Sequence, residues 1–248
     1  MPENPDHPKM ENFNVFTYRR LRRAIGYLGA GLPLVLVILS QFCFFDSPVQ
    51  FSISHYYYTN LRDILTGTLC AVGFFLIRYK GHGNASFWKN DNLLTNIAGF
   101  MALGVALVPT SANNPSLRVH TIIPYHTDLL ANLHYGFAAL LFGTFSILSI
   151  NVFTLGQEQR DPVPISLLNE NNIYRFCGYS IIVFVALVPV SNYFHFFQYS
   201  TLLLESLALV VFGIAWLVKG RALGDKGKIG EKLYRESNVQ NTETVFEE

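Results

Sequence analysis

Long apolar stretches alternate with short polar ones along most of the chain. The runs IIVFVALV at 181–188 and LALVVFGIAW at 207–216 are apolar on every side, unlike the one-sided pattern of a helix on a soluble protein. A helix needs about 20 apolar residues to cross a bilayer. We therefore predict a membrane-spanning helix in each of six stretches: 24–45, 61–79, 93–110, 129–152, 173–194 and 201–219.

Composition favours the same interpretation. Hydrophobic residues make up 50% of the 248 residues and charged residues only 14%, whereas a soluble domain carries about 25% charged residues. The predicted fold class is therefore an all-α, polytopic membrane protein, a six-transmembrane-helix bundle. Its predicted parts are an N-terminal segment at 1–23, a membrane domain at 24–219 and a C-terminal tail at 220–248. The net charge of +1 lacks the basic excess of a nucleic-acid-binding protein, so no nucleic-acid partner is expected.

The basic residues predict the orientation. All of the 18 lysines and arginines except Arg62 and Arg118 fall at one end of the six predicted spans. Cytoplasmic loops are enriched in these residues, so we predict that both termini are cytoplasmic. The three cysteines, Cys43, Cys70 and Cys177, form no CxxC pair and are expected to be small buried hydrophobic residues.

A short segment occurs twice. VALVPTS at 105–111 recurs as VALVPVS at 185–191, near the outer ends of spans three and five. One interpretation is that spans three to four and five to six are two copies of a helical hairpin, as in some transporters. The alternative is chance recurrence of common apolar residues, with proline ending a helix at the interface.

Polar and titratable residues gather at the predicted outer end. The stretch SISHYYYTNLRD at 52–63 joins spans one and two. Its consecutive tyrosines are predicted to belong to an aromatic belt at the headgroup level, together with Tyr125, Tyr193 and Tyr199. Arg62 is a candidate for holding a phosphate or carboxylate. Five of the seven histidines also fall at this end: His55, His120, His126, His134 and His195.

Three acidic residues lie near the starts of helices predicted to begin on the outer side: Asp63, Asp128 and Glu205. Negative charge is favoured at a helix N-terminus, and Asn60-x-x-Asp63 resembles a capping box, so Asp63 is interpreted as a cap. Glu205 lies about one turn inside an apolar run, where an ionisable group is costly and by default a functional candidate. Its predicted partner is His134 or His195.

Imidazoles and carboxylates from several helices suit two kinds of chemistry. They bind a divalent metal such as zinc that activates water, or they form an acid/base relay, since histidine titrates near neutrality. The sequence contains neither HExxH nor HxxxH, so a metal site would draw its ligands from several loops. The catalytic candidates are His126, Asp128, His134 and Glu205. The metal-ligand candidates are His126, Asp128, His134 and His195, and the ligand-binding candidates are His55, Arg62, Asp63, His120 and His195.

Three short polar motifs make the chain resemble a known family of membrane proteins. They are SISHYYYTNLRD at 52–63, DNLLTNIAG at 91–99 and the Leu133-His134 pair that opens span four. With the six spans, they resemble a family of uncharacterised bacterial membrane proteins that is similar in layout to the eukaryotic DRAM and FRAG/Sfk group. The resemblance covers about residues 24–219. It implies a six-helix bundle in the bacterial plasma (inner) membrane and hints at a lipid-associated function. It brings no catalytic residues.

Three functions are compatible with these observations. The first is binding or modification of a lipid or small molecule at the outer face, with a divalent metal as one way to assist. The second is a non-catalytic scaffold whose polar outer residues satisfy one another. The third is a transporter, which the repeat suggests. Spans three and five, however, carry no charge inside the membrane, whereas coupled transporters usually have ionisable groups near the midplane.

Overall fold

The computed structural model describes residues 7–81, 83–111, 123, 128–155 and 170–222, with side chains from Thr17 onward. All regular elements in these residues are helical, which confirms the predicted all-α class. Four helices are long and apolar enough to cross a membrane, counting α1 from Thr17 and α4 through Val152: α1, α4, α5 and α6. The six α-helices are α1 His7–Leu39, α2 Arg62–Arg78, α3 Asp91–Leu107, α4 Asp128–Ile147, α5 Glu170–Phe194 and α6 Ser200–Lys219.

Each of the six predicted spans falls on one helix, and α1 differs most from its predicted span. It begins at His7, 17 residues before the predicted start at 24. α1 ends at Leu39, six residues before the predicted boundary at 45, although apolar residues continue. Residues 43–45 instead form a 3₁₀ turn, and Asp46 closes it with a positive φ of 41°. Cys43 in this turn is exposed, so the prediction that all three cysteines are buried is wrong for Cys43.

The helices form a closed ring. Each helix packs on the next one along the chain, and α6 packs back on α1. We call the end that carries residues 40–61 the His55 end and the opposite end the Arg22 end. α4 reaches the Arg22 end through a π-helical turn, Leu148–Val152. There the Ser146 hydroxyl donates to the carbonyl of Gly178 at 2.9 Å and fastens α4 to α5.

Glycines let two helix pairs approach backbone to backbone. A Cβ atom placed on Gly213 of α6 would lie 2.6 Å from the carbonyl oxygen of Gly26 in α1. One placed on Gly99 of α3 would lie 2.7 Å from the carbonyl oxygen of Gly73 in α2. Small residues at such crossings allow close van der Waals packing, which drives helix association where lipid removes the hydrophobic effect.

Side chains from α1, α3, α5 and α6 meet at the Arg22 end, together with side chains that follow α2 and α4. The Arg22 guanidinium donates to the Tyr79 hydroxyl at 2.6 Å, and that hydroxyl donates to the Asp91 carboxylate at 3.2 Å, which joins α1, α2 and α3. Lys219 at the end of α6 donates to the carbonyl of Phe153 at 2.9 Å.

An aromatic cluster connects these two groups of contacts. The Trp216 ring is perpendicular to the rings of Tyr79 and Phe153, with centroids 5.5 Å and 5.1 Å away. Tyr174 of α5 meets Phe153 edge to face at 5.5 Å. The Arg22 end is therefore closed by packed aromatic rings and buried charges, and the main open space in the bundle lies elsewhere.

Candidate functional site

The segment 51–61 folds into the mouth of the ring at the His55 end. The carbonyl of Phe51 accepts from the backbone N–H of Leu202 at 2.9 Å, and the Ile53 N–H donates to the Glu205 carboxylate at 2.7 Å. Ile53 and Leu61 are buried. Both hydrogen bonds attach this segment to the first turns of α6.

The tyrosine triplet belongs to the protein interior, so the prediction that it joins an aromatic belt is wrong. Tyr56 and Tyr57 are buried, and the hydroxyls of Tyr57 and Tyr58 donate to the carbonyls of Leu107 and Thr110 at the end of α3. The physical reason is the inward fold of the segment, which gives each phenol a partner inside the bundle. Tyr193, by contrast, is 78% exposed.

The predicted capping box is wrong as well. α2 begins after Leu61, which makes no side-chain cap. The Asn60 side chain instead donates to the carbonyl of Phe45 at 3.1 Å, and the Asn60 N–H donates to the Ser47 hydroxyl. Asn60 therefore braces the loop after α1. Asp63 is exposed in the first turn of α2.

His134 has partners on both ring nitrogens. The ring is only 2% exposed, its Nδ1 lies 2.7 Å from the carbonyl oxygen of Val108, and its Nε2 lies 3.0 Å from the hydroxyl of Ser54. Glu205 takes the Ile53 N–H as its partner, so the structure replaces the expected Glu205–histidine pair. His134 and Glu205 therefore both hold the 51–55 segment.

A cavity of about 870 Å³ opens beside this segment, which we call the main cavity. Segment 51–55, α4, α5 and α6 form its walls. Polar residues line the part near the His55 end, including His55, Asn192, His195, Thr201 and Glu205. Apolar residues line the part that extends along the helices: Ala138, Ala139, Phe142 and Val185.

Residues of α4 and α5 form one side of the main cavity. Three of its lining residues on these helices are exposed: Tyr135, Ala139 and Pro189. The two helices are fastened together at Ser146 and Gly178, toward the other end.

A small cavity of about 50 Å³ lies next to the main one. Ser54, Ala138 and Glu205 line both cavities, and His134 lines the small one. Ser54 therefore faces the main cavity on one side and His134 on the other. Sequence reasoning missed Ser54, because 80 residues separate it from His134 and no local spacing connects them.

His55 faces the main cavity and also a side cavity of about 380 Å³ lined by Asp46, Gln50 and Asn60. Burial lowers the pKa of His55, so its ring is neutral near pH 7. Its Nδ1 is buried and has no hydrogen-bond partner among the described residues. A buried polar atom without a partner is costly, so a ligand that reached it would gain a hydrogen bond.

The structure brings some of the candidate residues together and leaves others apart. His55, His195 and Glu205 line the main cavity, with His134 directly behind Ser54. Asp128 is exposed at the start of α4, and the Arg62 guanidinium lies 5.0 Å from the centre of the Tyr57 ring. His120 and His126 lie outside the described residues. Within the described residues, no three histidine, cysteine, aspartate or glutamate side chains are grouped to hold a metal ion.

Comparison with known proteins gives no relative from which to transfer a function. The chain matches no protein-family model, no curated protein and no solved structure.

The kind of ligand therefore has to be inferred from the volume and the lining of the main cavity. Its volume lies within the range of about 300–1,000 Å³ that is usual for small-molecule sites. A polar part near the His55 end and an apolar part between the helices match a molecule that has a polar head and an apolar tail.

Proposed function

We propose that this protein is a six-span integral membrane protein of the plasma membrane that binds a lipid or another amphiphile in the main cavity. In this proposal both termini are cytoplasmic, the His55 end faces outward, and the chain shares the layout of the bacterial family that it resembles. The basic residues that gather at the Arg22 end, including Arg22, Arg23 and Lys219, support this orientation.

The observation that carries the proposal is the change from polar to apolar walls along the cavity. Asn192 and Thr201 lie near the ends of α5 and α6, whereas Phe142 lies seven residues beyond Tyr135 on α4. At 1.5 Å per residue, those seven residues extend the wall by about 10 Å. A cavity of this depth accommodates part of an acyl chain, while the polar head of the amphiphile contacts His55, His195 and Glu205.

A bulky residue in the cavity wall is expected to block binding. Ala139→Trp places an indole between α4 and α5, and we expect the Kd for a fluorophore-labelled single-chain phospholipid to rise at least about tenfold, a loss of about 1.4 kcal/mol. Ala186→Trp is the matched control, because Ala186 is an exposed residue of α5 outside the cavity lining. Fluorescence titration of the detergent-purified chain measures both variants.

The control should bind within about twofold of the unchanged protein, since a twofold change corresponds to only about 0.4 kcal/mol. Equal weakening by both tryptophans would indicate general disturbance of the fold or of the micelle. Saturable binding that survives Ala139→Trp unchanged would contradict the proposal, and so would an absence of saturable binding in the unchanged protein.

The orientation is testable with an exposed native thiol. We expect a membrane-impermeant maleimide added to spheroplasts to label Cys43, because Cys43 is exposed at the His55 end. Cys43→Ser measures the labelling due to Cys70 and Cys177. Adding Ser86→Cys to that background places a thiol in the exposed loop at the Arg22 end, and it should react only after permeabilisation. The reverse pattern would invert the proposed topology.

A scaffold without a ligand is the second candidate, and one observation favours it. His134 and Glu205 each make a hydrogen bond to segment 51–55, with Ser54 and Ile53 respectively. If their whole role is to hold that segment, the main cavity is a packing defect filled by ordinary lipid. The binding measurement separates the two candidates, because a scaffold shows no saturable site that Ala139→Trp removes.

A further inference from the structure

Ser54 and His134 have the geometry of a nucleophile and its general base. The Ser54 hydroxyl lies 3.0 Å from Nε2 of His134, although the two residues come from the 51–61 segment and from α4. Covalent catalysis by serine requires a base within this distance and a third group that orients the base. The carbonyl of Val108, 2.7 Å from Nδ1, is in the position of that third group.

The orienting carbonyl also fixes the tautomer. A carbonyl oxygen only accepts hydrogen bonds, so Nδ1 of His134 must carry the proton in its bond to Val108. In the neutral ring Nε2 is then a lone-pair acceptor, and the Ser54 hydroxyl must be the donor in their hydrogen bond. The proton of Ser54 is thus already directed at the base.

The Ser54 backbone is fixed on both sides of the side chain. The preceding residue, Ile53, donates its N–H to Glu205, and the following residue, His55, donates its N–H to the Ser52 hydroxyl at 3.3 Å. Ser54 itself lines the main cavity. A substrate in the cavity therefore reaches the hydroxyl from one side, while the base contacts it from the other side and is shielded from water.

We propose that Ser54 and His134 form a catalytic pair that hydrolyses an ester-linked acyl group of an amphiphile held in the main cavity. This inference rests on the proposed function, because it needs the cavity to bind an amphiphile. An ester is the fitting bond, because it lies at the junction of a polar head and an apolar tail, as Ser54 lies at the junction of the polar and apolar walls.

The reaction balances with water as the only co-reactant. The Ser54 oxygen bonds to the ester carbonyl carbon while its proton moves to Nε2 of His134. The bond to the alcohol then breaks, and the leaving oxygen takes that proton. Water attacks the acyl-serine in the same way, giving its proton to Nε2, and the serine oxygen recovers a proton as the carboxylic acid leaves.

The first test maps a covalent adduct on the unchanged protein. A long-chain alkyl fluorophosphonate reacts with activated serines, and we expect mass spectrometry of the detergent-purified full chain to find the adduct on Ser54. No variant is needed, so folding does not complicate the result. Absence of an adduct on Ser54, or an adduct at Ser111 or another serine instead, would overturn the proposal.

The second test measures hydrolysis of p-nitrophenyl octanoate. Ser54→Ala is expected to reduce the rate to that of micelles alone, and His134→Gln to reduce it by about 10² to 10⁴, the usual contribution of a general base. Ser206→Ala is the matched control, because its hydroxyl bonds the carbonyl of Leu202 within α6, away from the cavity. It should retain the full rate.

Binding of the fluorophore-labelled single-chain phospholipid, with its chain attached by an ether bond that cannot be hydrolysed, separates failure of catalysis from failure of the proposed function. Saturable binding that Ala139→Trp removes, together with equal hydrolysis by Ser54→Ala and the unchanged protein, would overturn the catalytic pair and leave the binding site. Loss of both results would overturn both proposals. A binding curve for Ser54→Ala close to that of the unchanged protein, with hydrolysis lost, would support the catalytic pair.

Discussion

Gly213→Leu is expected to lower the free energy of unfolding by about 3 kcal/mol or more, at the upper end of the usual cost of overpacking. A Cβ atom on Gly213 would lie 2.6 Å from the carbonyl oxygen of Gly26 and 2.7 Å from the backbone nitrogen of Ala30. These are backbone atoms of α1, so no flexible side chain can move aside. The two helices have to separate, and the ring opens at its α1–α6 contact.

Gly143→Leu is the matched control for this prediction. Gly143 also lies in an apolar helix, yet a Cβ atom there would meet nothing within 4 Å. Leucine has a higher helix propensity than glycine, so this variant should be as stable as the unchanged protein or slightly more stable. Titration with sodium dodecyl sulfate, followed by far-UV circular dichroism, measures both. Equal stability of the two variants would show that the crossing tolerates separation.

The helices were predictable because an apolar run has one dominant way to satisfy its backbone groups, which is to form a helix. Where a helix ends is decided by other forces. The residues Phe42, Cys43 and Phe44 continue the apolar run after α1, yet all three are exposed, and the chain turns at Asp46. Hydropathy therefore predicted the first helix correctly but placed its end six residues too late.

The two copies of the VALVP segment also show that local sequence does not decide where a helix ends. In the first copy α3 ends at Leu107, two residues before Pro109. In the second copy Pro189 lies inside α5, which continues to Phe194. Proline lacks an N–H, so the carbonyl of Val185 loses its usual helical donor, and Val185 and Pro189 both line the main cavity. The duplicated hairpin itself stays a prediction.

The sequence predicted which residues belong to the candidate site better than it predicted their hydrogen-bond partners. An ionisable residue inside an apolar run is costly, and this rule selected Glu205. The side-chain partners come from distant parts of the chain: Glu205 holds Ile53, and His134 holds Ser54. Such pairs depend on how segment 51–61 enters the ring. The same inward fold buries Tyr56 and Tyr57, which were predicted to lie in an aromatic belt at the membrane surface.

Trp216→Ala is expected to lower the free energy of unfolding by about 3–5 kcal/mol, the usual cost of removing a buried tryptophan. Trp216 is 1% exposed, and its ring contacts Tyr79 from α2 and Phe153 after α4. Alanine leaves a cavity between the Arg22–Tyr79–Asp91 contacts and Lys219. The rings around it cannot collapse freely, because hydrogen bonds hold Tyr79 and Phe153 in place.

The other tryptophan of the chain provides the matched control for Trp216→Ala. Trp88 is 56% exposed and meets Phe87 edge to face in a short 3₁₀ turn. Trp88→Ala should change the free energy of unfolding by no more than about 0.5 kcal/mol, as expected for a surface substitution. The same detergent titration measures both. Equal losses would mean that the aromatic cluster at Trp216 does not hold the helices together, and that the charged contacts alone close the Arg22 end.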